Sequence, residues 1–238
     1  MNDDDRPRGA MSGKVAVVVG GASGVGRMAA NALARQGARV VIADFDNERM
    51  QRTVEEVLRQ TGADVALALP TDVRNDGSVA AMARDAIKAM GRVDVLLNMA
   101  GVFLHGPLDR TRTADWRWVF ETNLLGTVRT TMALVPHMVE RGSGQVVNAV
   151  SARGRSAETI AYDTCSAAVA AFTERLAAEL RPKGVAVSLF GIAAGGPQLG
   201  QNTRSRGMGR LLRRSMDLEE VAPPNGSLVD DLLNVLRR

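Results

Sequence analysis

The sequence predicts an α/β fold, a single doubly wound parallel sheet of six or seven strands with helices on both faces. Three observations predict it. Val/Leu/Ile/Ala runs of strand length alternate along the chain with amphipathic segments of helix length. The runs are continuous rather than alternating, which is the pattern of strands covered on both faces. No repeat or linker divides the 238 residues, and one α/β domain of that length is ordinary.

The strand runs are Val15–Val19, Ala38–Ala43, Val65–Leu69, Val93–Leu97, Gln145–Val150 and Val185–Phe190. Helices are expected near 24–36, 46–60, 76–90, 113–141 and 159–181, joined to the strands by right-handed crossovers. Residues 1–12 read as a flexible tail and 13–238 as the domain. From Ala193 onward the pattern is irregular, with Gly195, Gly196, Gly200, Gly207 and Gly209. Residues 192–227 read as a substrate or lid region, and a short amphipathic helix, Leu228–Leu236, closes the chain.

Composition narrows the function classes. A net charge of +4 is modest for this size and gives no sign of a nucleic-acid partner. Cys165 is the single cysteine, so an internal disulfide and a Cys-rich metal site are excluded, and no metal is expected. The N-terminal residues lack the apolar stretch of a signal peptide. No apolar run reaches the roughly 18 residues a membrane span needs, and a cytoplasmic location is expected.

The first strand is followed by Gly20-Gly21-Ala22-Ser23-Gly24-Val25-Gly26 and then a helix. A chain that turns this sharply, with no side chains in the way, lets a pyrophosphate approach its backbone N–H groups. The helix N-terminus adds partial positive charge. This is the Rossmann-type arrangement for a dinucleotide; the competing reading is a glycine-rich turn without a ligand. Asp44 ends the second strand, where its carboxylate can accept hydrogen bonds from both adenosine ribose hydroxyls and would repel a 2′-phosphate. Phe45 rather than Arg follows it, so NAD is expected over NADP. The competing reading is a solvated Asp at a strand end. Asp72, followed by Val73, can face the adenine edge. Asn98-Met99-Ala100-Gly101 ends the fourth strand with small residues that let backbone pass close to the cofactor.

With these landmarks in order, residues from about Gly13 to Gly191 resemble the short-chain dehydrogenase/reductase family. The glycine loop is similar to the family's T-G-x-x-x-G-x-G, with Val19 in the Thr slot, and Asn98–Gly101 to its N-N-A-G. Gly106-Pro107-Leu108, Asp115-Trp116 and Asn123-Leu124-Leu125-Gly126 are similar to its fourth-helix region. Gln145–Ser151 looks like the strand carrying the catalytic Ser, and Ala161–Val169 like the Y-x-x-x-K helix. The resemblance implies hydride transfer between a nicotinamide cofactor and a small-molecule alcohol or carbonyl. Tyr162 would be the acid/base, Ser151 would orient the substrate oxygen, and Asn123 would hold a helix-interior water feeding a proton relay. Tyr162 is the only tyrosine in the chain; the competing reading is a Tyr packed on an amphipathic helix. For Ser151 the competing reading is a strand-end Ser satisfying the backbone. The resemblance also implies a homodimer or homotetramer through helices 113–141 and 159–181.

Three departures bear on the chemistry. The family's Lys four residues after the Tyr is Ser166 here. On a helix that position shares the Tyr face, and its cation favours tyrosinate. An ordinary Tyr loses its proton only near pH ~10, so without the cation Tyr162 is a better acid than base. Ser166 can hydrogen-bond a ribose hydroxyl or a water but supplies no charge. The other lysines, Lys14, Lys88 and Lys183, lie elsewhere, while Arg153 and Arg155 precede Tyr162. Ser151 and Tyr162 are eleven residues apart, slightly closer than the family's usual spacing. The family's Pro-Gly after the sixth strand is Ile192-Ala193, and its last strand is missing. A non-redox reaction on the same scaffold, an elimination, isomerisation or cyclisation, therefore stays open, as does a pseudoenzyme acting through a partner.

His105, in the loop after the fourth strand, reads as a surface histidine with substrate contact as the alternative. His137 reads as structural, and Cys165 as a small packing residue rather than a nucleophile. The five arginines from Arg204 to Arg214 read as a solvated charged segment, with an anion-binding lid as the alternative.

Overall fold

The computed structural model describes residues 9–62, 65–151, 158–192, 203–205 and 227–236. Six parallel strands form the main sheet: β1 (Val15–Val19), β2 (Arg39–Asp44), β3 (Ala66–Pro70), β4 (Val95–Asn98), β6 (Gly144–Ser151) and β7 (Val185–Ile192). Their order is β3-β2-β1-β4-β6-β7. Two short strands, β5 (Phe103–His105) and β8 (Thr203–Ser205), pair in parallel as a separate ribbon.

The Val-rich strands divide their side chains between two cores. Ala16 and Val18 face Ala29, Ala30 and Leu33 of α1 (Gly24–Arg35), Met50 and Val57 of α2 (Asn47–Thr61), and the last helix. Val15, Val17 and Val19 face Met82 and Ala86 of α3 (Asp76–Met90), with Leu134 and Met138 of α5 (Gly126–Glu140). α6 (Ile160–Leu180) covers that second face through Leu180. The last helix, α7 (Ser227–Leu236), seals the first with Leu232, Leu233 and Leu236. Helices α2 and α3 begin on side-chain caps, Asp46 accepting from the Arg49 amide and Asn75 from the Ser78 amide.

The predicted architecture holds, with four corrections. The continuous runs 65–69 and 185–190 are not buried on both faces, because β3 and β7 are the sheet edges and most of their side chains are half-buried or exposed. The long helix expected over 113–141 is three pieces: α4 (Thr113–Val119), a π-helical turn at Phe120–Leu125, and α5. The ribbon of β5 and β8 is new. The tail is shorter than expected, since Met11 is buried in the core and its N–H donates to the Gln36 carbonyl.

The order in which the chain adds strands reverses between β1 and β4: β2 and β3 are laid down on one side of β1, whereas β4, β6 and β7 lie on the other. The carboxyl ends of β1 and β4 lie side by side, with Val19 opposite Asn98. In open α/β sheets the ligand crevice opens at such a switch point.

Candidate functional site

The glycine loop follows from close approach. Gly20 takes a positive φ of 79°, and a Cβ there would lie 2.5 Å from the Ala100 nitrogen. A Cβ on Gly26 would lie 2.1 Å from the Gly20 carbonyl oxygen. Backbone therefore packs on backbone from β1 through the loop to the end of β4. Ser23 is the N-cap of α1 but makes no side-chain cap, and the first turn of α1, with Gly24 and Val25, carries no acidic residue. A glycine-lined turn ending on an acid-free helix N-terminus fits the pyrophosphate of a dinucleotide.

Asp44 sits beside this loop. Its carboxylate accepts from the Ala22 amide at 3.1 Å and from the Asp46 amide at 3.1 Å. Burial pushes its pKa above the ordinary 3.8, against those hydrogen bonds. Phe45 next to it is 67% exposed, a free aromatic face at the mouth of the crevice. Asp72 is paired with Arg74, which donates to both its oxygens, at 2.9 and 2.8 Å, and holds its carboxyl below the usual range. Val73 packs on Gly126, where a Cβ would lie 2.8 Å from Val73 Cγ2.

Asn98 has a structural employment. Its Nδ2 donates to Asn148 Oδ1 at 2.8 Å, and its Oδ1 accepts from Thr130 Oγ1 at 2.7 Å. Asn148 Nδ2 passes the chain on to Thr173 Oγ1 at 2.9 Å. This buried polar line stitches β4 and β6 to α5 and α6. Asn123, inside the π-helical turn, places its amide on the Val102 backbone: Nδ2 donates to the carbonyl at 2.9 Å and Oδ1 accepts the N–H at 2.8 Å. That fixes the chain just after Gly101.

Tyr162 lies in the first turn of α6. Its ring meets Phe103 edge-on at 4.7 Å, within a small apolar cluster that includes Val102, Leu104, Val119, Ala161 and Cys165. Ser166, one turn further, is half-buried. Ser151 ends β6 opposite Ile192. Cys165 is buried, and burial pushes its thiol up to about 12, so it is an inert packing group.

His105 departs from the surface histidine expected. Its Nε2 lies 3.0 Å from Glu158 Oε2, its side chain is 17% exposed, and its Nδ1 is buried without a hydrogen-bond partner. Arg204 also departs from a freely solvated residue, since it stacks on Trp118 at 4.0 Å. Arg153, Arg155, and Arg206 to Arg214 lie outside the described residues. Asn148, Thr173, Phe103 and Trp118 are the participants the sequence reading missed. Only Asn148, an amide set among Val146, Val147, Ala149 and Val150, carried a signal. Among the described residues no group of three His, Cys, Asp or Glu is placed to hold a metal, and no helix is long and apolar enough to cross a membrane.

The profile of the family described as short chain dehydrogenase matches residues 14–205. The chain belongs to that family. Among its relatives is the (2S)-[(R)-hydroxy(phenyl)methyl]succinyl-CoA dehydrogenase subunit BbsD of Thauera aromatica, 37% identical over 74% of this chain and 70% of that one. The chain spans 62% of the length of two further curated relatives. Among solved structures, the 3-ketoacyl-(acyl-carrier-protein) reductase of Brucella melitensis complexed with NADH superposes with a TM-score of 0.75. It is 28% identical, over 82% of this chain and 81% of that one. A metagenomic short-chain oxidoreductase in complex with NADP gives 0.71 at 33% identity, over 77% and 83%.

Proposed function

We propose that this short-chain dehydrogenase transfers hydride between NAD and an alcohol or carbonyl substrate, with Tyr162 as its proton-transfer group. The observation that carries the reading is the Asp44 carboxylate, held 3.1 Å from the Ala22 amide at the lip of the glycine loop. An acid there can accept ribose hydroxyls and disfavours a 2′-phosphate, so NAD is preferred to NADP. Bound in this crevice, the nicotinamide supplies the hydride acceptor or donor.

The chain's own residues do the rest. The loop backbone and the α1 N-terminus hold the pyrophosphate. Asn123 pins Val102, and with it the small residues Ala100 and Gly101 beside the cofactor. Ser151 orients the substrate oxygen, and Tyr162 exchanges a proton with it. Ser166 stands where the family carries its Lys, so no ammonium sits beside Tyr162 to favour tyrosinate. The protonated phenol is already the acid that carbonyl reduction needs, and reduction is the favoured direction. The exposed Met132 and Leu125, on α5 and the turn before it, support assembly as a homodimer or homotetramer through α5 and α6.

Ser166 also favours a second reading. Tyr162 and Ser151 can catalyse an elimination, isomerisation or cyclisation in which the dinucleotide is only structural. Fluorescence titration with NADH and NADPH, followed by an assay on ketones and alcohols, separates the two. NADH binding with turnover is the expected result. No binding of either cofactor overturns the proposal, and binding without turnover of any compound supports the second reading.

A further inference from the structure

Arg204 reaches the body of the protein from β8. Its guanidinium lies 4.0 Å from the centroid of the Trp118 ring and 3.8 Å from Asp115 Oδ1. The Asp115 side chain is 0% exposed. Its other oxygen accepts from the Arg112 amide at 3.1 Å and faces Arg112 Nε at 3.5 Å. A carboxylate withdrawn from water needs cations and donors beside it, so Asp115 holds Arg204 in place. A three-residue ladder has little stability of its own. The stacking and the ion pair therefore add to the ladder that holds β8 on β5.

β5 then connects this latch to the proposed acid. Leu104 is opposite Arg204, and Phe103 opposite Thr203. The Phe103 ring meets Tyr162 edge-on at 4.7 Å. The helix that carries Asp115 and Trp118 touches the Tyr162 helix as well, where Cys165 Sγ lies 3.9 Å from the Val119 carbonyl oxygen. Latch and acid share one wall, made of β5 and α4.

We propose that Arg204 is a positioning residue for Tyr162: by holding β8 against β5 it fixes the Phe103 face on which the Tyr162 ring rests. The proposal rests on the reading of Tyr162 as the proton-transfer group. A displacement of an ångström at such a group costs about 10²-fold in rate.

Tyr162 is the only tyrosine, so protein labelled with ring-13C tyrosine reports this one residue without any need for turnover. Arg204→Met keeps the apolar stem and removes the charge. Arg204→Lys keeps a charge without the planar face. Arg117→Met, on the exposed side of α4, is the control. The Tyr162 ring signals are expected to move in Arg204→Met, to return part-way in Arg204→Lys, and to stay in place in Arg117→Met. NADH affinity should hold within about two-fold, and where a substrate is turned over kcat should fall about 10-fold or more at a nearly constant KM.

Unmoved Tyr162 signals in a cooperatively melting Arg204→Met overturn the proposal. So does a raised KM at unchanged kcat, which would make Arg204 a substrate-binding group. If Arg204→Met does not melt cooperatively, Arg204→Lys decides, and signals at the wild-type positions overturn it. Moved signals in a chain whose wild type turns over no alcohol or ketone uphold the coupling and overturn the redox reading, so the two fail separately.

Discussion

The Asp44 carboxylate accepts the Ala22 amide at 3.1 Å, so the last residue of β2 holds the loop that follows β1. One side chain thus shapes the loop and, on the proposed reading, carries the charge that would select NAD over NADP. Asp44→Ala removes both. It is expected to weaken NADH binding while narrowing the preference for NADH over NADPH, and paired fluorescence titrations measure both effects. An unchanged preference would detach Asp44 from the ribose.

The same carboxylate gives stability a pH signature. Burial raises its pKa above 3.8 in the folded chain, so the folded state keeps this proton to higher pH than the unfolded state does. Its contribution to stability is greatest below 3.8 and is lost as pH rises through the folded value. Asp94 runs the other way. Burial raises it, but Arg92, the Val15 amide and Arg141 outweigh burial and lower it below 3.8. Its contribution is present above 3.8 and lost as pH falls through the folded value. Urea midpoints taken from about pH 7 to about pH 3 test both. The wild type should gain on Asp44→Asn as pH falls, and lose its lead over Asp94→Asn at the acid end.

Gly26→Ala should separate the loop's shape from general stability. The new methyl would lie 2.1 Å from the Gly20 carbonyl oxygen, a backbone atom that cannot yield without opening the loop. Overpacking of this kind costs about 1–3 kcal/mol. Gly62→Ala is the comparison: its φ is +66° but nothing lies within 4 Å of the new Cβ, and the left-handed backbone costs about 1–2 kcal/mol. Both variants should melt early. Only Gly26→Ala should lose the NADH signal at concentrations that saturate the wild type.

The sheet was legible because Val15–Val19 and its parallel neighbours are short apolar runs between helices, and burial on two faces needs that composition. The glycine loop was legible because only glycine accepts contacts as close as those at Gly20 and Gly26. The π-helical turn at Phe120–Leu125 was not, since a single wide turn inside a long helical stretch has no residue signature of its own. Phe103–His105 and Thr203–Ser205 are too short to show a period, and their pairing spans a hundred residues. His105 read as a surface residue because its partner Glu158 lies 53 positions away, and distant ion pairs leave no local trace. Asp72 suits an adenine edge by position, and its pairing with Arg74 two residues later is a contact that spacing alone does not reveal.

Asn148→Val should show how much the buried polar line matters. The substitution removes the closer acceptor of Asn98 Nδ2, leaving it Thr131 Oγ1 at 3.4 Å, and removes the donor to Thr173 Oγ1, all at buried positions. A buried donor left without its partner costs about 1–3 kcal/mol. Thr173→Val should cost less, since Asn148 keeps its bond to Asn98. Urea unfolding of the two single variants and the double variant gives the coupling, and additive losses would mean that the line is not one network.

Ser166→Lys tests the catalytic reading most directly. The position lies one turn after Tyr162 on the same helical face, and Ser166 is half-buried, so a longer side chain can extend along the protein and keep its ammonium hydrated. A cation there favours tyrosinate and so helps Tyr162 more as a base than as an acid. General acid–base assistance is worth about 10²–10⁴-fold. Alcohol oxidation with NAD should therefore gain about 10²-fold or more, carbonyl reduction should gain less, and the oxidation profile should shift toward lower pH. Initial rates in both directions across a pH series read all three. An active wild type that gains nothing would mean that another cation already serves Tyr162, and a gain confined to reduction would contradict the assignment of Tyr162 as the group the new Lys acts on.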